Sequence, residues 1–184
     1  MSARLRHRWN NRERIRSTTE LTSALGANVW KISAQAVVEL ENENFEINTY
    51  AQRLDVVAEF CAFLVQLVDR LLYVNGDDDT RREFITSLAR HLADTMQDNR
   101  IDALQSGDHR EAFIALLNER MSFYATCRFS GEEGPSFVMR RNFGDRVAEV
   151  VGDRDRKWVT DYVMDMQAPA LVQSLRRAMP SLFQ

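Results

Sequence analysis

Carboxylate side chains recur at helical spacing in this chain, and carboxylates at that spacing can hold a metal ion. Glu39, Glu43 and Glu46 are separated by four and three residues, and Glu59 follows within an apolar run. Like charges one helical turn apart repel each other, so arginines, solvent or a cation must compensate for them. We expect arginines or solvent to do so. The alternative is a carboxylate metal-binding or redox site inside a helical bundle, formed by Glu39, Glu43, Glu59 and His91.

The histidine spacing disfavours this metal site. Di-metal sites in four-helix bundles take ligands from Glu-x-x-His pairs, which place both side chains on one helix face. None of the three histidines has a glutamate three positions before it. His91 lies between Leu88 and Leu92 at the edge of an apolar face, a common place for a hydrogen-bonded boundary residue. The first expectation is therefore that the protein binds no metal and no cofactor.

Other signatures of catalysis are missing from the sequence. There is no Gly-x-Ser-x-Gly elbow for a nucleophile and no glycine-rich phosphate-binding motif. Cys61 lies in an apolar run, where a thiolate is disfavoured. Glu59 is expected to pair with an arginine, because an unpaired buried carboxylate is costly. The residues thus favour a protein that is not an enzyme.

One loop has the composition of an anion-binding turn. Residues 131–136 contain a Gly-Pro pair and precede Phe137, and Arg140 and Arg141 follow one turn later. The N-terminus of a helix attracts anions through its free N–H groups. A plain loop followed by a helix start explains the same pattern, and we prefer that interpretation.

Residues 1–16 form a basic arm that differs in charge from the rest of the chain. The arm holds six arginines against one glutamate, a net charge of +5, and since the whole chain has −3, residues 17–184 have −8. Arginine and tryptophan together suit nucleic acid or an anionic membrane surface. A second interpretation is a solvated tail, or an arm folded back on residues 39–46. The candidate binding residues of the arm are Arg4, Arg6, Arg8, Trp9, Arg12, Arg14 and Arg16.

The elements that carry these side chains are predicted to be helices. Only 7 glycines and 3 prolines occur in 184 residues, and capping residues repeatedly precede apolar residues spaced three and four apart. The first two predicted helices span about 18–45 and about 50–74. The third follows Asp77–Asp79 and ends near 97, the fourth runs from Asp108 to about 127, and the fifth spans about 136–151. A last helical stretch follows Gly152, and Pro169 breaks it near residue 167. The helix at 50–74 is apolar almost all round, which predicts burial by neighbours on several sides. We therefore predict an all-α, single-domain bundle of about six helices over residues 17–184, with the arm outside it.

The remaining features set the expected location and the ranking of functions. Two cysteines make no disulfide framework, no secretory signal is present, and the most apolar stretch, 56–68, is too short to span a bilayer. We expect a cytoplasmic protein without a transmembrane segment. The preferred function is a non-enzymatic bundle that binds a protein partner or self-associates. The alternatives are the metal or redox enzyme and binding of nucleic acid or an anionic membrane surface through the arm.

Overall fold

Side-chain caps fix the helix starts that the sequence predicts. The Ser17 hydroxyl accepts a hydrogen bond from the Glu20 N–H, and the Glu20 carboxylate accepts one from the Ser17 N–H. This reciprocal pair satisfies two of the N–H groups that a helix start leaves unbonded. Three further helices begin with a cap that lacks the reciprocal bond. In each, the side chain of the capping residue accepts from an N–H in the first turn, and these residues are Asp77, Asp108 and Ser136.

The computed structural model describes residues 17–73, 77–103 and 106–179. The elements are α1 (Thr18–Asn42), α2 (Tyr50–Tyr73), α3 (Asp78–Asp102), α4 (His109–Thr126), β1 (Phe129–Ser130), β2 (Gly134–Pro135), α5 (Phe137–Val151), α6 (Arg156–Tyr162), a π-helical turn (Val163–Gln167) and α7 (Ala168–Ala178). α6, the π-helical turn and α7 follow one another directly. Counted as one, they give six helices in the described ranges, which confirms the predicted all-α bundle.

α2 is the central element, as its composition predicts. Every residue from 56 to 68 is buried, and α1, α3, α4, α5 and α7 all pack against this helix. The ring of Phe63 stacks on Phe143 of α5 with centroids 4.1 Å apart, and Tyr124 of α4 meets it edge-on at 5.8 Å. No helix in the described ranges is long and apolar enough to cross a membrane.

Two helix ends differ from the sequence prediction. α1 ends at Asn42 rather than near 45, and Asn44 adopts a left-handed backbone with φ 65°. Glu46 therefore lies beyond the helix and pairs with Arg154, so the predicted face of Glu39, Glu43 and Glu46 does not form. α3 instead continues past 97 to Asp102.

The break that Pro169 predicts near residue 167 is a π-helical turn. Proline supplies no N–H and clashes with the preceding turn of an α-helix. The Ala168 N–H donates to the Val163 carbonyl, five residues back, and α7 starts at Ala168 with Pro169 in its first turn. The wider turn lets the chain stay helical while Gln167 takes an inward position, where it is 2% exposed.

Cys61 is expected to resist thiol reagents in the folded protein. Its Sγ donates to the Ser33 hydroxyl at 3.4 Å, and burial raises the pKa of the thiol to about 12. At about pH 8 the folded protein therefore holds almost no Cys61 thiolate, the form that reacts. Iodoacetamide labelling read by mass spectrometry should modify Cys61 only after unfolding in urea. A Cys127→Ser variant leaves Cys61 as the single thiol, and equal labelling rates with and without urea would contradict the expectation.

Candidate functional site

The three carboxylates of α2 each pair with an arginine. The pairs are Asp55–Arg100, Glu59–Arg120 and Asp69–Arg81. Glu59 is 2% exposed, and its two oxygens accept from Nε and Nη2 of Arg120, both at 2.8 Å. These bonds raise the pKa of the Arg120 guanidinium above its usual value. This two-pronged geometry is what a buried carboxylate needs to remain charged, and the arginine partner predicted for Glu59 is confirmed.

The four residues of the alternative metal site are not brought together. Glu39 and Glu43 are exposed at the end of α1, whereas Glu59 is buried against Arg120. The ring of His91 packs against Gly26, where a side chain on α1 would collide with it. Across residues 17–73, 77–103 and 106–179, no group of three or more His, Cys, Asp or Glu side chains could hold a metal ion. The candidate arm residues, Arg4, Arg6, Arg8, Trp9, Arg12, Arg14 and Arg16, lie outside the described residues.

A different site is built at the other end of the chain. A cleft of about 680 Å³ opens between the β1–β2 hairpin, the start of α5 and α7, and Arg128, Arg140 and Arg176 line it. We call it the arginine cleft. Its apolar lining is Phe129, Pro135, Phe137, Pro169 and Val172. The cleft thus combines positive charge with apolar surface.

The hairpin sets the position of the first and last of these arginines. Gly134 has a φ of 80°, a left-handed conformation that side chains disfavour, and it allows the chain to fold back on itself. The Ser136 N–H donates to the Arg128 carbonyl at 3.0 Å, which closes the hairpin. From α7, Nη2 of Arg176 donates to the Gly131 carbonyl at 2.6 Å. Residues almost fifty positions apart are thereby held on one cleft.

The three arginines of the cleft differ from most of the described arginines in having no carboxylate partner. Among the described residues, ten arginines form ion pairs: Arg53, Arg81, Arg82, Arg100, Arg110, Arg120, Arg141, Arg146, Arg154 and Arg156. Arg128, Arg140 and Arg176 have none in that part of the chain. Nε of Arg140 is buried and bonded to no described residue, and its Nη1 makes only a long contact of 3.4 Å to the Met164 carbonyl. No described carboxylate neutralises their positive charge, and the guanidinium N–H groups that make no bond within the chain can meet an anionic ligand.

The start of α5 adds to the positive potential. Ser136 caps the helix through the Met139 N–H at 3.4 Å, while the N–H groups of Phe137 and Val138 precede the first intrahelical bonds. The side chains of Phe137 and Val138 are each 58% exposed at this end of the helix. Glu132 and Glu133 also line the cleft, so a ligand meets three positive and two negative side chains.

The sequence points to one part of this cleft. The Gly-Pro loop and Arg140, whose preferred interpretation is a plain loop and helix start and whose alternative is an anion-binding turn, both line the cleft. Arg141 lies outside the cleft and pairs with Asp145 at 3.3 Å. Arg128 and Arg176 carried no local signal, because only the packing of α7 on the hairpin brings them together. Comparison of the chain with protein-family models, curated proteins and solved structures found no match.

Proposed function

We propose that this protein is a non-enzymatic helical bundle that docks an acidic segment of a protein partner in the arginine cleft. The observation that carries the proposal is the gathering of Arg128, Arg140 and Arg176 around one cleft without a carboxylate partner. Ten other arginines of the described chain have such a partner. Acidic side chains of a partner would supply what the chain itself does not.

The apolar lining favours a protein segment over a small free anion. Phe137 lines the cleft and leaves a large apolar side chain 58% exposed to solvent beside the guanidinium groups. Arginine and aromatic side chains are enriched where binding energy concentrates in protein interfaces. An inorganic ion would use only the arginines and would leave this apolar surface in water.

The proposal is tested by fluorescence anisotropy with a fluorescein-labelled peptide, Glu-Glu-Leu-Phe-Glu-Glu, and a matched peptide with glutamine in place of glutamate. The acidic peptide should bind, and the glutamine peptide should bind at least about tenfold more weakly. The double variant Arg128→Ala/Arg176→Ala should weaken the acidic peptide by about tenfold or more. Replacing Phe137 with serine should weaken binding of the acidic peptide separately, because Phe137 belongs to the apolar lining of the cleft.

Arg90→Ala is the matched control, because Arg90 is exposed on α3 and is not paired with a carboxylate in the described chain. A second control, Arg4→Ala/Arg6→Ala/Arg8→Ala, separates attraction by the basic arm. An equal loss of binding in Arg90→Ala, or a loss that occurs only in the arm variant, would contradict docking in the cleft. Docking would also be contradicted if millimolar inorganic phosphate displaced the peptide and Phe137→Ser left its affinity unchanged.

A further inference from the structure

A second groove, of about 450 Å³, runs between α1 and α7 on a different part of the bundle. Its apolar lining includes Ile32 and Ala36 from α1 and Leu171 from α7. None of the three cleft arginines contributes to it. Gln167, the last residue of the π-helical turn, lines it as well.

The side chain of Gln167 has an unsatisfied acceptor in this groove. Gln167 is 2% exposed, and its Nε2 donates to the Ala36 carbonyl at 2.7 Å. Its Oε1 accepts no hydrogen bond from any residue in the described ranges. A buried acceptor without a donor is unfavourable, so this oxygen favours a ligand that brings an N–H group. π-helical turns are often found at functional sites.

The charged residues of the groove are separated along its length. Glu39 lies one turn beyond Ala36, at the same end as Gln167, and has no ion pair among the described residues. Lys31 precedes Glu39 by eight residues, about 12 Å along α1, and Arg177 follows Gln167 by ten residues, about 15 Å along α7. Neither Lys31 nor Arg177 has a carboxylate partner in the described chain. The groove thus has acceptors at one end and cations toward the other.

We infer that this groove binds a short peptide with free ends, of about three residues. Its N-terminal ammonium group lies against Oε1 of Gln167 and the carboxylate of Glu39. Its C-terminal carboxylate lies toward Lys31 and Arg177, and its side chains contact Ile32 and Leu171. An extended residue spans about 3.3–3.6 Å, so three residues reach about 10–11 Å, close to the rise of about 12 Å between Lys31 and Glu39 along α1. This site is independent of the acidic partner proposed for the arginine cleft.

Isothermal titration calorimetry of the full chain tests the inference with three tripeptides, Ala-Ala-Ala, Ala-Leu-Ala and Ala-Phe-Ala. At least one should bind with a stoichiometry of one. Acetylation of its N-terminus and amidation of its C-terminus should each weaken binding by about tenfold, because each removes one charged contact. In Lys31→Ala/Arg177→Ala, amidation should make no further difference. In the double variant Glu39→Ala/Gln167→Met, acetylation should make little further difference.

Lys157→Ala, which removes the other lysine of the chain, is the matched control and should bind like the unchanged protein. Arg128→Ala/Arg176→Ala should also leave tripeptide binding intact, so failure here is distinguishable from failure of the arginine cleft. Far-UV circular dichroism shows that each variant is folded. The inference is overturned if no tripeptide gives a saturable heat, or if Lys31→Ala/Arg177→Ala remains folded and distinguishes the free from the amidated peptide as the unchanged protein does.

Discussion

Replacing Arg120 with methionine is expected to lower the free energy of unfolding by about 3–5 kcal/mol. Methionine fills most of the volume of arginine but cannot donate a hydrogen bond. Glu59, which is 2% exposed in the unchanged protein, therefore loses both of its bonds to the guanidinium group. A buried carboxylate that loses its only charged partner must be desolvated without compensation. The measurement is urea unfolding followed by far-UV circular dichroism, with the midpoint and the slope compared between the two proteins.

The double variant Glu59→Leu/Arg120→Met separates the energy of the pair from that of the stranded charge. Because both polar partners are removed together, this variant should recover most of the loss and lie within about 1–2 kcal/mol of the unchanged protein. Arg82→Ala is the control for removing an arginine from a surface pair, since Arg82 and Asp79 are both largely exposed at 3.8 Å. It should shift stability by less than about 0.5 kcal/mol. A loss below about 1 kcal/mol for Arg120→Met would show that Glu59 finds another partner or water.

The fold could be predicted from the sequence because its determinants are local. Ser17, Asp77, Asp108 and Ser136 start helices through bonds that span three residues, so the capping signals and the apolar spacing agree. The burial of α2 follows from its own composition. The end of α1 is the instructive failure: the acidic spacing of Glu39, Glu43 and Glu46 suggests one helix face, yet Asn44 turns the chain before Glu46.

The sequence predicts that Glu59 needs an arginine partner, but it does not predict which arginine. The buried position of Glu59 requires a cation, and the sequence supports that expectation. The choice of Arg120 over the other arginines depends on how α4 packs on α2, which the sequence does not show. The same limit applies to the cleft: the sequence shows that Arg140 follows its loop closely, but not that α7 brings Arg176 to the same cleft.

Replacing Gly144 with alanine is the second change for which we expect a large effect on stability. We expect it to destabilise the protein, although alanine has the higher helix propensity. In an open helix, replacing glycine with alanine stabilises by about 1 kcal/mol. At Gly144 an added Cβ would lie 2.6 Å from the Thr160 backbone carbonyl oxygen, so α5 and α6 would have to move apart. The glycine that weakens the predicted helix at 136–151 is thus the residue that permits this close approach.

We expect Gly144→Ala to lower the free energy of unfolding by about 2 kcal/mol and Gly144→Val to lower it further, measured by urea unfolding. Gly131→Ala is the matched control, because an added Cβ there meets no atom within 4 Å. It should change stability by less than about 0.5 kcal/mol. If Gly144→Ala were instead more stable by about 1 kcal/mol, helix propensity would dominate, and α6 would have to yield to the methyl group at almost no energetic cost. If Gly144→Ala lowers the free energy of unfolding and Gly131→Ala leaves it unchanged, the effect belongs to the contact with Thr160, because both substitutions add the same methyl group to the backbone.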